Sequence, residues 1–303
     1  LPRRGIWEWV FAALLLAGCR SSKPPVIVVG SKSGVAQTVL GEVIAQHIER
    51  RLHRPVGRNF ALGGAKVVYQ AAMLGQVDVY VEDVGAARSE IFGFELTVDP
   101  SMAIERTRQA FERTQMYFLA PLGFSVPWLI VTTQEVAKQW RLETISDLTR
   151  SENGWRLGAS LEFLDRADGL AALQKAYSLS WETAPLSMDP KACYAALSQQ
   201  HVQLLAVPAT DGALASGRFR ILKDDREAFG PYDAGLVLRA AKAFETPGLK
   251  EALEELLRRF DLETVRRLAA QAEAAPTEIP QIAAEFLRRF PGTPRQGMPS
   301  QGE

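Results

Sequence analysis

Ser31 and Lys32 stand where a chain can do binding chemistry. They follow a continuous β-branched run, Val26 to Gly30 (VIVVG), and precede a stretch with apolar residues at helical spacing, Thr38 to Leu52. A β-branched run of this kind reads as a strand buried on both faces. In open α/β sheets, ligands sit beyond the carboxyl ends of strands. Backbone N–H groups at a helix start, together with a lysine ammonium, favour an anionic group there. On this argument the alternative for Lys32 is an ordinary surface lysine.

Other chemistry falls away by elimination. Gly30-Ser31-Lys32-Ser33-Gly34 fits neither G-x-G-x-x-G nor G-x-x-x-x-G-K-[ST], and there is no G-x-S-x-G elbow. His47, His53 and His201 lie in charged-helix or polar-turn patterns, where a solvated ring is the default. Carboxylate pairs such as Glu254-Glu255 and Asp224-Asp225 read as solvated faces. The two cysteines cannot build a disulfide scaffold or an all-thiolate zinc site. Nothing here demands an enzyme, and no metal or cofactor is expected.

The elements that must position Ser31 and Lys32 alternate along the chain. Short strands are expected at Pro55 to Asn59, Val77 to Tyr80, Tyr117 to Ala120, Trp128 to Val131, Trp155 to Gly158, Gln203 to Val207 and Gly235 to Arg239. Helical patterns lie between them, and long amphipathic helices follow at Leu249 to Phe260, Leu262 to Ala272 and Ile279 to Phe290. This alternation predicts α/β architecture with mainly parallel sheets. At about 100–200 residues per domain, the 303 residues allow roughly two domains. The charge balance of 35 basic against 35 acidic residues excludes a nucleic-acid binder, which needs a basic surplus. Cys193 lies in a helical pattern and reads as a small buried apolar group.

The first residues carry their own signal. Arg3 and Arg4 precede an apolar run, Val10 to Ala17, that ends at Gly18-Cys19. This is the layout of a secretory signal, and the run is too short to span a bilayer. Leu16-Ala17-Gly18-Cys19 matches the bacterial lipobox, in which the cysteine thiol takes the lipid. The expected organisation is a signal peptide over 1–18, lipidation at Cys19 and a polar tether over 19–25. A Pro/Gly-rich tail over 291–303 is expected to be disordered. The alternatives are an ordinary signal peptide or a short membrane anchor.

An ordered set of motifs carries a family resemblance. It runs from Gly30-Ser31-Lys32 and Leu40-Gly41-Glu42 through Gly75-Gln76-Val77-Asp78-Val79-Tyr80-Val81-Glu82 to Pro121-Leu122-Gly123-Phe124. It continues with Asp165-Arg166-Ala167-Asp168-Gly169, Thr210-Asp211-Gly212 and Pro231-Tyr232. The chain resembles the glycine-betaine/osmoprotectant (quaternary amine) substrate-binding proteins of ABC transporters across nearly the whole span from Val26 to Phe290.

The resemblance implies a type II periplasmic-binding-protein fold, two α/β lobes with a ligand cleft and hinge. Lobe one would comprise 26–118 plus 228–290, and lobe two 119–227. It implies an extracytoplasmic, lipid-anchored monomer of the bacterial cell envelope that delivers a small solute to a permease with its ATPase. In the family a Lys and an Arg take the ligand carboxylate, and an aromatic cage holds the quaternary ammonium. Lys32 matches that lysine and Arg166 that arginine, with Ser31 beside Lys32 in the same motif. The cage departs from the pattern. Where the family typically reads Y-P-E-Y-T-G-T, the chain has Tyr80-Val81-Glu82-Asp83-Val84-Gly85-Ala86. Asp83 thus replaces a cage tyrosine, and Pro208 replaces another aromatic. Trp128 stands at a third cage position, and Tyr232 is unchanged. A carboxylate at one wall suits a cation bearing N–H donors, so the expected ligand is a small zwitterionic or cationic solute in an altered pocket. For Asp83 the alternatives are a solvated loop carboxylate or an internal pair with Arg88 or Lys32. A surface sensor on the same fold, or less readily a secreted enzyme using the cleft, stays open.

Overall fold

The computed structural model describes residues 26–94, 99–152, 154–230 and 232–289. The expected signal segment, Cys19, the tether and the tail lie outside the described residues.

The strands are β1 (Ile27–Gly30), β2 (Val56–Asn59), β3 (Val79–Asp83), β4 (Met116–Leu119), β5 (Trp128–Thr133), β6 (Leu157–Ala159), β7 (Leu186–Ser187), β8 (Leu204–Pro208), β9 (Phe219–Leu222) and β10 (Ala234–Arg239). They form two five-stranded sheets, ordered β2-β1-β3-β10-β4 and β7-β6-β8-β5-β9. The expectation of mainly parallel sheets needs correction. Each sheet has two parallel pairings, but β10 runs antiparallel to β3 and β4, and β5 runs antiparallel to β8 and β9. Continuous apolar runs read the same in either direction, so periodicity alone could not separate the two.

The first lobe is centred on α1 (Val35–Leu52), whose Val39, Leu40, Val43, Ile44 and Ile48 are buried. It lies against the first sheet on one side and the C-terminal helices on the other. Those helices include α2 (Leu262–Ala274) and α3 (Ile279–Arg289). This double packing explains a second correction. His47 is buried rather than solvated, and its Nε2 lies 2.8 Å from the Ala252 carbonyl oxygen. His53 and His201 are exposed as expected. Asp224 is no solvated pair member either: it accepts hydrogen bonds from the Ala228 and Phe229 amides and tightens that turn. Cys193 is buried.

The second lobe has its own aromatic core, with Trp128, Trp155, Phe163 and Tyr177 joined by Phe229 and Tyr232. Two chain segments cross between the sheets side by side. Val126 N–H donates to the Tyr232 carbonyl at 2.9 Å, Leu122 N–H to Ala234 at 2.7 Å, and Ala234 N–H to Phe124 at 3.0 Å. Helix α2 makes a third connection. Its Arg266 Nε donates to the Ala209 carbonyl at 2.6 Å, and a Cβ on Gly212 would fall 2.6 Å from the Ala270 nitrogen. None of the helices among the described residues is long and apolar enough to cross a membrane.

Candidate functional site

Lys32 owes its position to the adjacency of β1 and β3. The strands are parallel neighbours, with Val29 opposite Val79, so their carboxyl ends emerge together. After β1 the chain is pinned to the loop following β2. Ser31 N–H donates to Asn59 O, Leu62 N–H donates to Ser31 O, and the Ser31 hydroxyl oxygen accepts from Ala61 N–H at 2.9 Å. Ser31 is therefore buried as the anchor of this loop. Lys32 follows it and donates to Glu82 Oε1 at 2.5 Å and to Asp83 Oδ2 at 2.8 Å.

Those two carboxylates are held in different ways. Asp83 Oδ1 accepts from Ala86 N–H at 2.7 Å, capping the short helical segment Val84–Ala86. Glu82 is fully buried; its Oε1 also accepts from Asp83 N–H, and its Oε2 has no hydrogen-bond partner. Burial would raise both carboxyls. For Asp83 the Lys32 and Arg166 charges outweigh it and hold the group below its usual range. For Glu82 burial wins over Lys32, and the carboxyl is pushed up to about 7.

Immediately after this cap lies a π-helical turn, Ala87–Phe92, which carries Arg88 and Glu90. Such turns often occur at functional positions. Both side chains reach the second lobe. Arg88 Nη2 lies 3.3 Å from Asp168 Oδ2, and Arg166 Nη1 donates to Glu90 Oε1 at 2.9 Å. Burial raises the Glu90 carboxyl despite the Arg166 charge.

Arg166 ends a short helix, Leu161–Asp165, that Ser160 caps through Phe163 N–H. The chain then turns sharply, with Gly169 N–H donating to Arg166 O at 3.0 Å. A Cβ on Gly169 would sit 2.0 Å from the Phe163 carbonyl oxygen, so the close turn requires glycine. It lets Asp168 accept from Arg166 Nε at 2.8 Å and Nη2 at 2.7 Å, a bidentate pair. The guanidinium also lies 5.6 Å from the Trp128 ring centroid, a cation–π distance. Trp128 is packed edge-on against Phe163 at 5.2 Å and pairs across the sheet with Pro208. Tyr232 is 1% exposed, and its ring lies flush on the backbone of Gly85, where an added Cβ would fall 2.1 Å from Cδ1. Burial, with Asp168 close by, raises its phenol well above the usual value.

All six residues singled out in the sequence therefore meet at the boundary of the two sheets. Lys32 and Asp83 touch each other directly, Arg166 and Trp128 face each other, Tyr232 backs the site, and Ser31 supports it from behind. Four more were missed as site members: Glu82, Arg88, Glu90 and Asp168. Glu82 and Asp168 fall inside the quoted motifs, and a charged residue in a fully buried strand is a readable signal for Glu82. Glu90 carries no such signal, because its partner lies 76 positions away.

Two α/β lobes, joined by paired crossing strands and facing each other through charged side chains, define a two-lobed solute-binding protein of the type II periplasmic class. The chain belongs to the OpuAC family, the substrate binding domain of ABC-type glycine betaine transport systems, whose model matches residues 25–289. It is 28% identical to the ergothioneine transport permease/ergothioneine binding protein EgtU of Helicobacter pylori (strain G27), over 93% of this chain but only 52% of that protein. It is 26% identical to the carnitine transport binding protein OpuCC of Listeria monocytogenes, over 90% of each. Among solved structures, a glycine betaine/carnitine/choline ABC transporter protein superposes with a TM-score of 0.74 at 25% identity, over 87% of this chain and 98% of that one. These relatives are binding proteins of transporters, not enzymes.

Proposed function

We propose that the protein is an extracytoplasmic solute-binding lipoprotein, anchored to the bacterial membrane through Cys19, that delivers a small zwitterionic or cationic solute to an ABC permease and its ATPase. The lobes 26–118 plus 228–290 and 119–227 close on the solute by a hinge at the paired crossing segments, and the closed form is what the permease engages. One observation carries this reading. Lys32 and Arg166, a cation from each lobe, converge with the Trp128 and Tyr232 rings on a single inter-lobe centre. Cations there favour a solute's anionic group and aromatic faces its cationic one. Ligand names among the relatives supply the candidates: betaine, carnitine, choline and ergothioneine.

The test is a thermal-shift screen with those four compounds and the amino acids, followed by titration calorimetry. Saturable stabilisation by at least one is expected. No shift with any of them would overturn the transport reading. Lipid anchoring is tested separately by metabolic labelling with a fatty-acid analogue. Label is expected on the native chain and none on Cys19→Ser; equal labelling of both would overturn it.

A further inference from the structure

Arg166 gives its donors to three carboxylates of different origin. Asp168, two residues on, takes the Nε/Nη2 edge in a bidentate pair. Glu162 belongs to the preceding helix, and its half-exposed carboxylate accepts from Nη1 at 3.0 Å. Only Glu90 arrives from the other lobe, accepting from the same Nη1 at 2.9 Å. The Nη1 side is thus the part of the guanidinium that faces across the cleft, and Glu90 holds it. Lys32 is likewise matched, by Glu82 and Asp83. Around the centre the three cations Lys32, Arg88 and Arg166 meet five carboxylates, Glu82, Asp83, Glu90, Glu162 and Asp168, so carboxylates outnumber cations even while Glu82 keeps its proton. No positive charge is spare. A solute carboxylate adds negative charge and finds Arg166 taken, whereas a cation without a carboxylate offsets the excess.

We propose that Glu90 is a specificity-determining residue. It occupies the side of Arg166 that a solute carboxylate would use, and so biases the cleft towards organic cations that lack one. The inference rests on the solute-binding reading above and narrows its substrate class. Glu90 shares one turn with Arg88, which holds Asp168, so both cross-lobe pairs form and part together. A carboxylate-bearing solute must keep Glu90 out of the closed cleft. A plain cation leaves it in place.

Choline and glycine betaine are the probes, since they share a trimethylammonium group and differ in the carboxylate. Titration calorimetry on the native protein is expected to show tighter binding of choline. Glu90→Gln keeps the side-chain shape and removes the charge. It is expected to raise betaine affinity about tenfold or more, the worth of a charge-assisted hydrogen bond, while choline affinity does not rise. A betaine-to-choline ratio unchanged by Glu90→Gln overturns the proposal. A second measurement needs no solute. Small-angle scattering of the solute-free proteins is expected to give a larger radius of gyration for Glu90→Gln, and identical values overturn the proposal. If neither probe binds either protein, the solute-binding reading suffers, and the scattering comparison still decides on Glu90.

Discussion

Lys32 and Asp83, 51 positions apart in the chain, meet at 2.8 Å at the carboxyl ends of two neighbouring parallel strands. The pair joins two jobs that the sequence kept apart. By the motif resemblance alone, Lys32 matches an anion-binding lysine and Asp83 a cage position. Of the roles open to Asp83 in the sequence, the internal pair with Lys32 is the one the structure contains. The same carboxylate caps the segment after β3.

Asp83→Tyr places at that position the aromatic that the motif resemblance leads one to expect. Betaine affinity in titration calorimetry is expected to rise, because a ring face replaces a carboxylate beside the quaternary ammonium. Stability is expected to fall by more than the ~1 kcal/mol of the lost cap, because the pair with Lys32 is broken as well. Asp83→Asn keeps an acceptor for Ala86 N–H and serves as the control. Unchanged or weaker betaine binding by the tyrosine variant counts against the cage argument.

Arg166→Ala is expected to abolish solute binding and to destabilise the fold. It leaves Asp168, 3% exposed, with Arg88 alone, and removes the partner of Glu90. Breaking a buried pair by removing one member costs about 3–5 kcal/mol, which urea unfolding would register. A variant of native stability that still binds solute would refute the central place given to this arginine.

Gly85→Ala sends a methyl into the Tyr232 ring, whose buried body has no free direction in which to move. Overpacking of this kind costs about 1–3 kcal/mol. Weaker solute binding should accompany the lower melting temperature, because Tyr232 backs the site. Loss of stability with unaltered affinity would place Tyr232 in the core alone.

Glu82 makes stability depend on pH with a definite sign. Its folded-state pKa lies at about 7 against 4.5 for a free glutamate. Between those values the folded protein keeps a proton that the unfolded chain has released, so stability falls as pH rises through the window. Asp83 and Asp168 are held below 3.8, and their contribution is lost only as pH falls below that value. Glu82→Gln should flatten the decline in melting temperature from about pH 4.5 to about pH 7. An equal decline in both proteins would assign it to another group.

The ordered motifs made the family and the two-lobed α/β fold legible, and they placed Lys32 and Arg166 at one centre. What escaped were relationships between distant segments. The sequence pattern ends strand β3 at Tyr80, yet the strand runs to Asp83. Charged residues end a strand pattern in sequence, but here the Lys32 ammonium next door offsets the cost of their burial. His47 read as solvated because its helix is charged; only the C-terminal helices that cover α1 bury it. Glu90 reads as a surface glutamate until the second lobe brings Arg166 to it.

Helix α2 has a mechanical consequence. It packs on α1 through Leu268 and Ala272 against Val39, while Arg266 and Ala270 lie on the 209–212 backbone of the other lobe. With the two crossing strands it makes a third fastening between the bodies. A swing about the crossing strands must slide or break the contact of Arg266 with Ala209. Stiffening α2 or its seat at Gly212 would therefore change how fast a solute is released without touching any atom that holds it.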